Sequence, residues 1–140
     1  METPLNIVTF YNAIANNGKM MKPYLIESHE KNGRTVKKFG PEILNGSVFS
    51  KATADSLTKA LTMVTLEGTG ATKLKNAKCT VAGKTGTSET TETDTKGRYI
   101  VSFAGIAPAD NPEIVVLVVL DHPTVGNASG GVQAAPVAGT

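Results

Sequence analysis

The 140-residue chain reads as an α+β domain: an antiparallel sheet of at least three strands with flanking helices. Three observations lead there. Two stretches carry apolar residues at helical spacing behind residues that cap helix starts. Three later stretches read as strands. The last two of these are joined by Pro108-Ala109-Asp110-Asn111-Pro112, a short run of turn formers that suits an antiparallel pair.

The first helix spans 4–16. Thr3 supplies a side-chain oxygen for free N–H groups, and Pro4 stands where its missing N–H costs nothing. Ile7, Tyr11 and Ile14 follow at helical spacing with Phe10 alongside, and Asn16-Asn17-Gly18 supplies a stop. A hairpin over 22–39 comes next, with Tyr24-Leu25-Ile26 and Thr35-Val36 flanking Glu30-Lys31-Asn32-Gly33; Asn-Gly between two such runs is a strong hairpin signal. Ser50 caps the second helix, 51–67, whose Leu57, Leu61 and Val64 share a face until Gly68-Thr69-Gly70 breaks it. The charged stretch from Lys73 through Lys75 to Lys78 is read as a connector.

The three strands are placed at 79–87, 98–107 and 113–121. The third is apolar at every position from Ile114 to Leu120, so both of its faces should be covered, which puts it in the middle of the sheet with a helical layer on each side. Glu89 to Lys96 is polar without periodicity and reads as a flexible loop. The tail from Gly126 to Thr140 is rich in Gly, Ala and Pro.

Composition removes several function classes. With 40% hydrophobic residues, 19% charged residues and a net charge of +2, the chain is globular and too nearly neutral to point to nucleic acid. Aromatic content of 5% without Trp offers no base-stacking platform. Cys79 is the single cysteine, and His29 and His122 lie far apart, so no zinc ligand set is visible and no cofactor is expected. The longest apolar run, Ile114 to Leu120, falls far short of the roughly 18 residues a membrane-spanning helix needs. Residues 1–20 lack a charged start followed by an apolar stretch, so this chain is expected neither to anchor nor to export itself. A single cysteine leaves the redox compartment open.

Chemistry concentrates at Val81-Ala82-Gly83-Lys84-Thr85-Gly86-Thr87-Ser88, the end of the first strand. Lys84 offers a fixed positive charge, Thr85 and Thr87 offer hydroxyl donors, and Gly86 permits close backbone approach. Such an edge suits an extended peptide that ends in a carboxylate: main-chain groups pair with it as an added strand while the hydroxyls and Lys84 hold its negative end. From these residues alone, a β-turn with a solvated lysine is an equal alternative. A phosphate loop fails, because the earlier glycine of that motif would have to stand where Lys78 does.

Lys-Thr-Gly is one of three motifs, with S-x-x-K and S-x-N, shared by penicillin-binding proteins and serine β-lactamases. The chain resembles class B penicillin-binding proteins along its whole length. Thr3 to Asn6, Phe10 to Gly18 and Met21-Lys22-Pro23 are similar to a helix and strand of that family. So are Glu67-Gly68-Thr69-Gly70, Val81 to Ser88, and Ser102-Phe103-Ala104-Gly105 with its following turn. Gly130-Gly131 with Ala134-Ala135-Pro136-Val137 resembles the entry to the family's final helix. The order of matches is the family's order, which identifies the chain as the C-terminal part of a transpeptidase domain with a partial penicillin-binding-protein/β-lactamase-like fold.

The resemblance implies a serine D,D-transpeptidase that forms an acyl-enzyme with a peptidoglycan stem peptide and cross-links it to a neighbour. It assigns Lys84 to the electrostatics of the serine-lysine site, and Thr85 and Thr87 to the carboxylate of a stem peptide or β-lactam. The Thr87 backbone N–H becomes one oxyanion donor, and Gly86 keeps the edge clear of a side chain. The family's nucleophile and its S-x-N motif lie upstream of the region matched here. Two S-x-x-K strings do occur. Ser28 and Lys31 fall in the hairpin, where they would point to opposite faces of a strand, and Ser56 and Lys59 fall on a helix that is scaffold in the family. The chain alone is therefore expected to be inactive. The parent is expected to be membrane-anchored, with this domain on the extracytoplasmic side.

Two other function classes stay open: a non-catalytic module that binds wall peptides along the strand edge, and a purely structural segment. Within the enzyme class, a D,D-carboxypeptidase or β-lactamase relative is the further alternative. Cys79 reads as a small buried residue, His122 as a strand-end residue, and His29 as a hairpin residue without a visible partner. If the final helix begins only after Ala138, one sheet face stands bare and a homodimer follows.

Overall fold

Helix α1 begins where Thr3 accepts a hydrogen bond from the Asn6 N–H at 3.2 Å, with Pro4 in its first turn. It runs Pro4–Ala15 in the computed structural model, which describes residues 2–69, 74, 77–90, 98–124, 126 and 128–139. Asn17 and Gly18 end it in left-handed conformations, φ 55° and 89°. Gly18 has a second reason to be glycine: a side chain there would strike the Phe49 carbonyl.

Residues 20–45 form an arm of two small sheets. Strand β1, Met20–Met21, pairs antiparallel with β4, Ile43–Asn45; β2, Ser28–Lys31, pairs with β3, Arg34–Lys38. Asn32 and Gly33 have φ 52° and 71°, the double positive φ that a two-residue hairpin turn requires. Tyr24, Leu25 and Ile26 lie outside these strands, which corrects the strand assignment made from their hydrophobicity. They precede the paired segment as exposed chain, where apolar character alone does not recruit a partner. His29 has a partner after all, an edge-to-face contact with the Phe39 ring at 5.1 Å.

Helix α2, Lys51–Leu66, is capped by Ser50, which accepts from the Thr53 N–H at 3.1 Å. Its last buried residue, Thr65, donates its hydroxyl to the Val81 carbonyl and so ties the helix to the approach of the next strand. The connector residues Lys73 and Lys75, and residues 91–96 of the polar loop, lie outside the described residues.

The main sheet contains β5, Ala82–Glu89, β6, Tyr99–Ala107, and β7, Ile114–Asp121, in the order β5-β6-β7, all antiparallel. The middle strand is therefore β6, not the apolar β7. A continuous apolar run reports that both faces meet apolar groups; it says nothing about whether both edges are paired. On β7 the burial is only partial, and Ile114 is 62% exposed, whereas Val101, Phe103 and Ile106 on β6 are 0% exposed.

Successive β6 side chains alternate between two layers. Phe103 packs with Leu74, Ala134 and Ala135; Ile106 packs with Ile14 of α1 and Ala82, bordered by Leu57 and Leu61 of α2. The first layer is supplied by a π-helical turn, Gly130–Ala134, that continues into α3, Ala135–Ala138. The final helical segment thus begins at Gly130 rather than after Ala138, and it covers the Phe103 face that was expected to stand bare. Gly130 and Gly131, read as the entry to that helix, already belong to it, and they let its backbone lie close to the sheet.

Candidate functional site

Lys84, Thr85, Gly86 and Thr87 occupy the middle of β5, paired in register with Ala104, Phe103, Ser102 and Val101 of β6. The strand's other edge has no strand partner among the described residues. Alternation sets Thr85 and Thr87 on one face, with Lys84 and Gly86 on the other. Lys84 is exposed, and its Nζ donates to the neighbouring Thr85 carbonyl at 2.8 Å.

Each threonine hydroxyl is held from a different element. Thr85 Oγ1 lies 3.1 Å from Thr69 Oγ1, just past the end of α2. Thr87 Oγ1 accepts from the Gly130 N–H at 3.2 Å, at the start of the π-helical turn. That contact depends on Gly130 having no side chain, because a Cβ would strike the Ser102 carbonyl and come within 2.5 Å of the Gly86 carbonyl oxygen. Gly86 is constrained in the same way from the opposite face: a Cβ there would lie 2.5 Å from Ser102 Oγ. The glycine therefore answers to packing inside the sheet as well as to access from outside.

The structure gathers the four residues singled out in the sequence on one strand and surrounds them with Thr69, Ser102, Gly130 and Gly131. Those supports had no place in the sequence-based site. In the sequence they stand out only within the segments Glu67 to Gly70, Ser102 to Gly105 and Gly130-Gly131 that carry the resemblance, with no role of their own.

The two S-x-x-K strings lie elsewhere. Ser28 and Lys31 are the ends of β2. Ser56 is exposed on α2 and its hydroxyl donates to the Ala52 carbonyl at 2.9 Å, a bond within the helix. Cys79 is exposed, not buried, because the strand begins three residues later, at Ala82. His122 follows β7 with φ 49°, and its Nδ1 is 3.3 Å from Asp121 Oδ1. Among the described residues, no helix is long and apolar enough to cross a membrane.

A family model of the penicillin binding protein transpeptidase domain matches residues 2–140. Stage V sporulation protein D of Bacillus subtilis (strain 168) is 36% identical over 98% of this chain and 22% of its own length. Peptidoglycan D,D-transpeptidase FtsI of Escherichia coli (strain K12) is 29% identical over 99% of this chain and 22% of its own. The chain thus spans less than a quarter of the length of these relatives.

Among solved structures, the D,D-transpeptidase domain of a peptidoglycan glycosyltransferase from Eggerthella lenta matches with a TM-score of 0.77 and 33% identity, covering 94% of this chain and 30% of that one. A ceftriaxone acyl-enzyme complex of penicillin-binding protein A from M. tuberculosis matches with a TM-score of 0.85 and 27% identity, covering 97% and 30%. A match over nearly every residue, on the same fold, leads to one conclusion: the chain belongs to the penicillin-binding protein transpeptidase domain family, in its class B branch.

Proposed function

We propose that this chain is the carboxylate-binding wall of a peptidoglycan D,D-transpeptidase that cross-links stem peptides through a serine acyl-enzyme. One observation carries the reading. Lys84, Thr85, Gly86 and Thr87 lie on a strand edge without a strand partner among the described residues, and both threonine hydroxyls are held from behind, by Thr69 and Gly130. A stem peptide adds along that edge as a further strand, its terminal carboxylate meets the Thr85 and Thr87 hydroxyls, and Lys84 supplies the positive charge. The Thr87 backbone N–H serves as one oxyanion donor. A β-lactam carboxylate uses the same groups.

The nucleophile is not supplied by these 140 residues in this reading, since Ser28 lies in the hairpin arm, the Ser56 hydroxyl is turned back onto the Ala52 carbonyl of its own helix, and no S-x-N sequence occurs. The parent polypeptide is membrane-anchored in this reading, with the domain on the extracytoplasmic side. Self-association through sheet surface left uncovered is a finer part of the proposal: on β7, Ile114 and Val119 are 62% and 40% exposed. A second copy covering that surface forms a dimer, which light scattering at high concentration reads directly.

The function is tested by incubating the chain with a labelled penicillin and measuring intact mass. No covalent adduct is expected. An adduct overturns the assignment of the nucleophile to another part of the parent, and its loss in Ser56→Ala would identify the serine responsible.

A further inference from the structure

We propose that Thr69 is a positioning residue for this wall: its hydroxyl donates to Thr85 Oγ1 and thereby turns the Thr85 hydrogen toward the ligand carboxylate. The inference rests on the reading of β5 given above and adds a residue to it.

The two oxygens are 3.1 Å apart, so one hydroxyl donates to the other. A hydroxyl has one hydrogen to give and can accept from two directions. At Thr87 the direction is fixed. The Gly130 N–H can only donate, so Thr87 Oγ1 accepts and keeps its single hydrogen for the ligand. At Thr85 the same outcome requires Thr69 to be the donor. The opposite arrangement would spend the Thr85 hydrogen on Thr69 and turn lone pairs toward an ionised carboxylate, which accepts only.

Thr69 is seated where it can hold this role. Its carbonyl oxygen lies against Gly131, where an added Cβ would come within 2.5 Å of it and within 3.4 Å of Thr85 Cγ2. The end of α2, the middle of β5 and the start of the π-helical turn therefore meet at Thr69, Thr85 and Gly131. The ligand class follows: a peptide with a free terminal carboxylate is favoured over the same peptide capped as an amide, because the amide keeps one acceptor oxygen but replaces the other with an NH₂ donor, which leaves one of the two outward-pointing hydrogens without an acceptor.

The test is an amide-resolved NMR titration of the 140-residue chain with a peptide ending in D-alanyl-D-alanine and with its C-terminal amide. The readout is the ratio of the two affinities. The unaltered chain is expected to prefer the acid. Thr69→Val keeps the shape and removes the hydroxyl; it is expected to weaken acid binding about fivefold while leaving the amide unchanged, and Thr69→Ser is expected to restore the preference. If Thr69→Val disturbs the spectrum, Thr69→Ala reads the same ratio. An undiminished acid preference without the hydroxyl overturns the role of Thr69 and leaves the reading of β5 standing. No acid preference in the unaltered chain overturns both.

Discussion

The backbone N–H of Gly130 donates to the Thr87 hydroxyl at 3.2 Å, joining two residues 43 positions apart in the sequence. The bond fixes the start of the final helical segment against β5. It also ties the side chain expected to meet a carboxylate to the packing of the sheet, through the contacts of Gly130 with Gly86 and Ser102.

Replacing Gly130 with alanine tests that link. The new Cβ would fall within 2.5 Å of the Gly86 carbonyl oxygen and 2.9 Å of the Gly86 nitrogen, and both partners are backbone atoms of a paired strand. Gly130→Ala is expected to destabilise the chain by about 2 kcal/mol in urea denaturation and to move the Thr87 amide resonance. Unchanged stability together with an unmoved resonance would contradict the contact.

The contrast between β6 and β7 makes a second prediction. Phe103 is 0% exposed at the centre of one layer, so Phe103→Ala is expected to cost about 3–5 kcal/mol, a large share of the roughly 5–15 kcal/mol that keeps an ordinary domain folded. Ile114 is 62% exposed at the start of β7, and Ile114→Ala is expected to cost less than about 1 kcal/mol. Paired thermal denaturation curves compare them. Equal losses would contradict the difference in burial between the two strands.

A third prediction concerns alkaline pH. Burial pushes the Tyr11 phenol above its ordinary pKa of 10.0. Above that value the unfolded chain releases this proton before the folded chain does, so the folded state binds more protons and stability falls as pH rises. The contribution is complete below pH 10.0, declines from there, and is lost once pH has passed through the folded pKa. Urea denaturation from about pH 9 to about pH 11 is expected to show this decline in the unaltered chain and a shallower one in Tyr11→Phe. Identical slopes would contradict the burial of the phenol.

Local chemistry was legible in the sequence, and long-range packing was not. Thr3 and Ser50 announce their helices because a cap bonds within three residues of itself. Lys84 to Thr87 are legible as chemistry because charge, hydroxyls and a glycine stand together on one short segment. Thr69 and Gly130 are not, since each reaches β5 only once α2 and the final helical segment have packed against it. Cys79 was misjudged because strand boundaries shift by a few residues, and here three residues separate an exposed position from the buried Ala82. The position of β7 was misjudged because hydrophobicity reports on faces rather than edges.

The most direct test of the central claim, that this chain is one wall of a larger serine transpeptidase, is the DNA sequence of the reading frame on the 5′ side of the Met1 codon. The expected result is an open frame that encodes an S-x-x-K and then an S-x-N before residue 1. An in-frame stop codon immediately ahead of Met1 would contradict the claim and leave a free-standing module that binds wall peptides without catalysis.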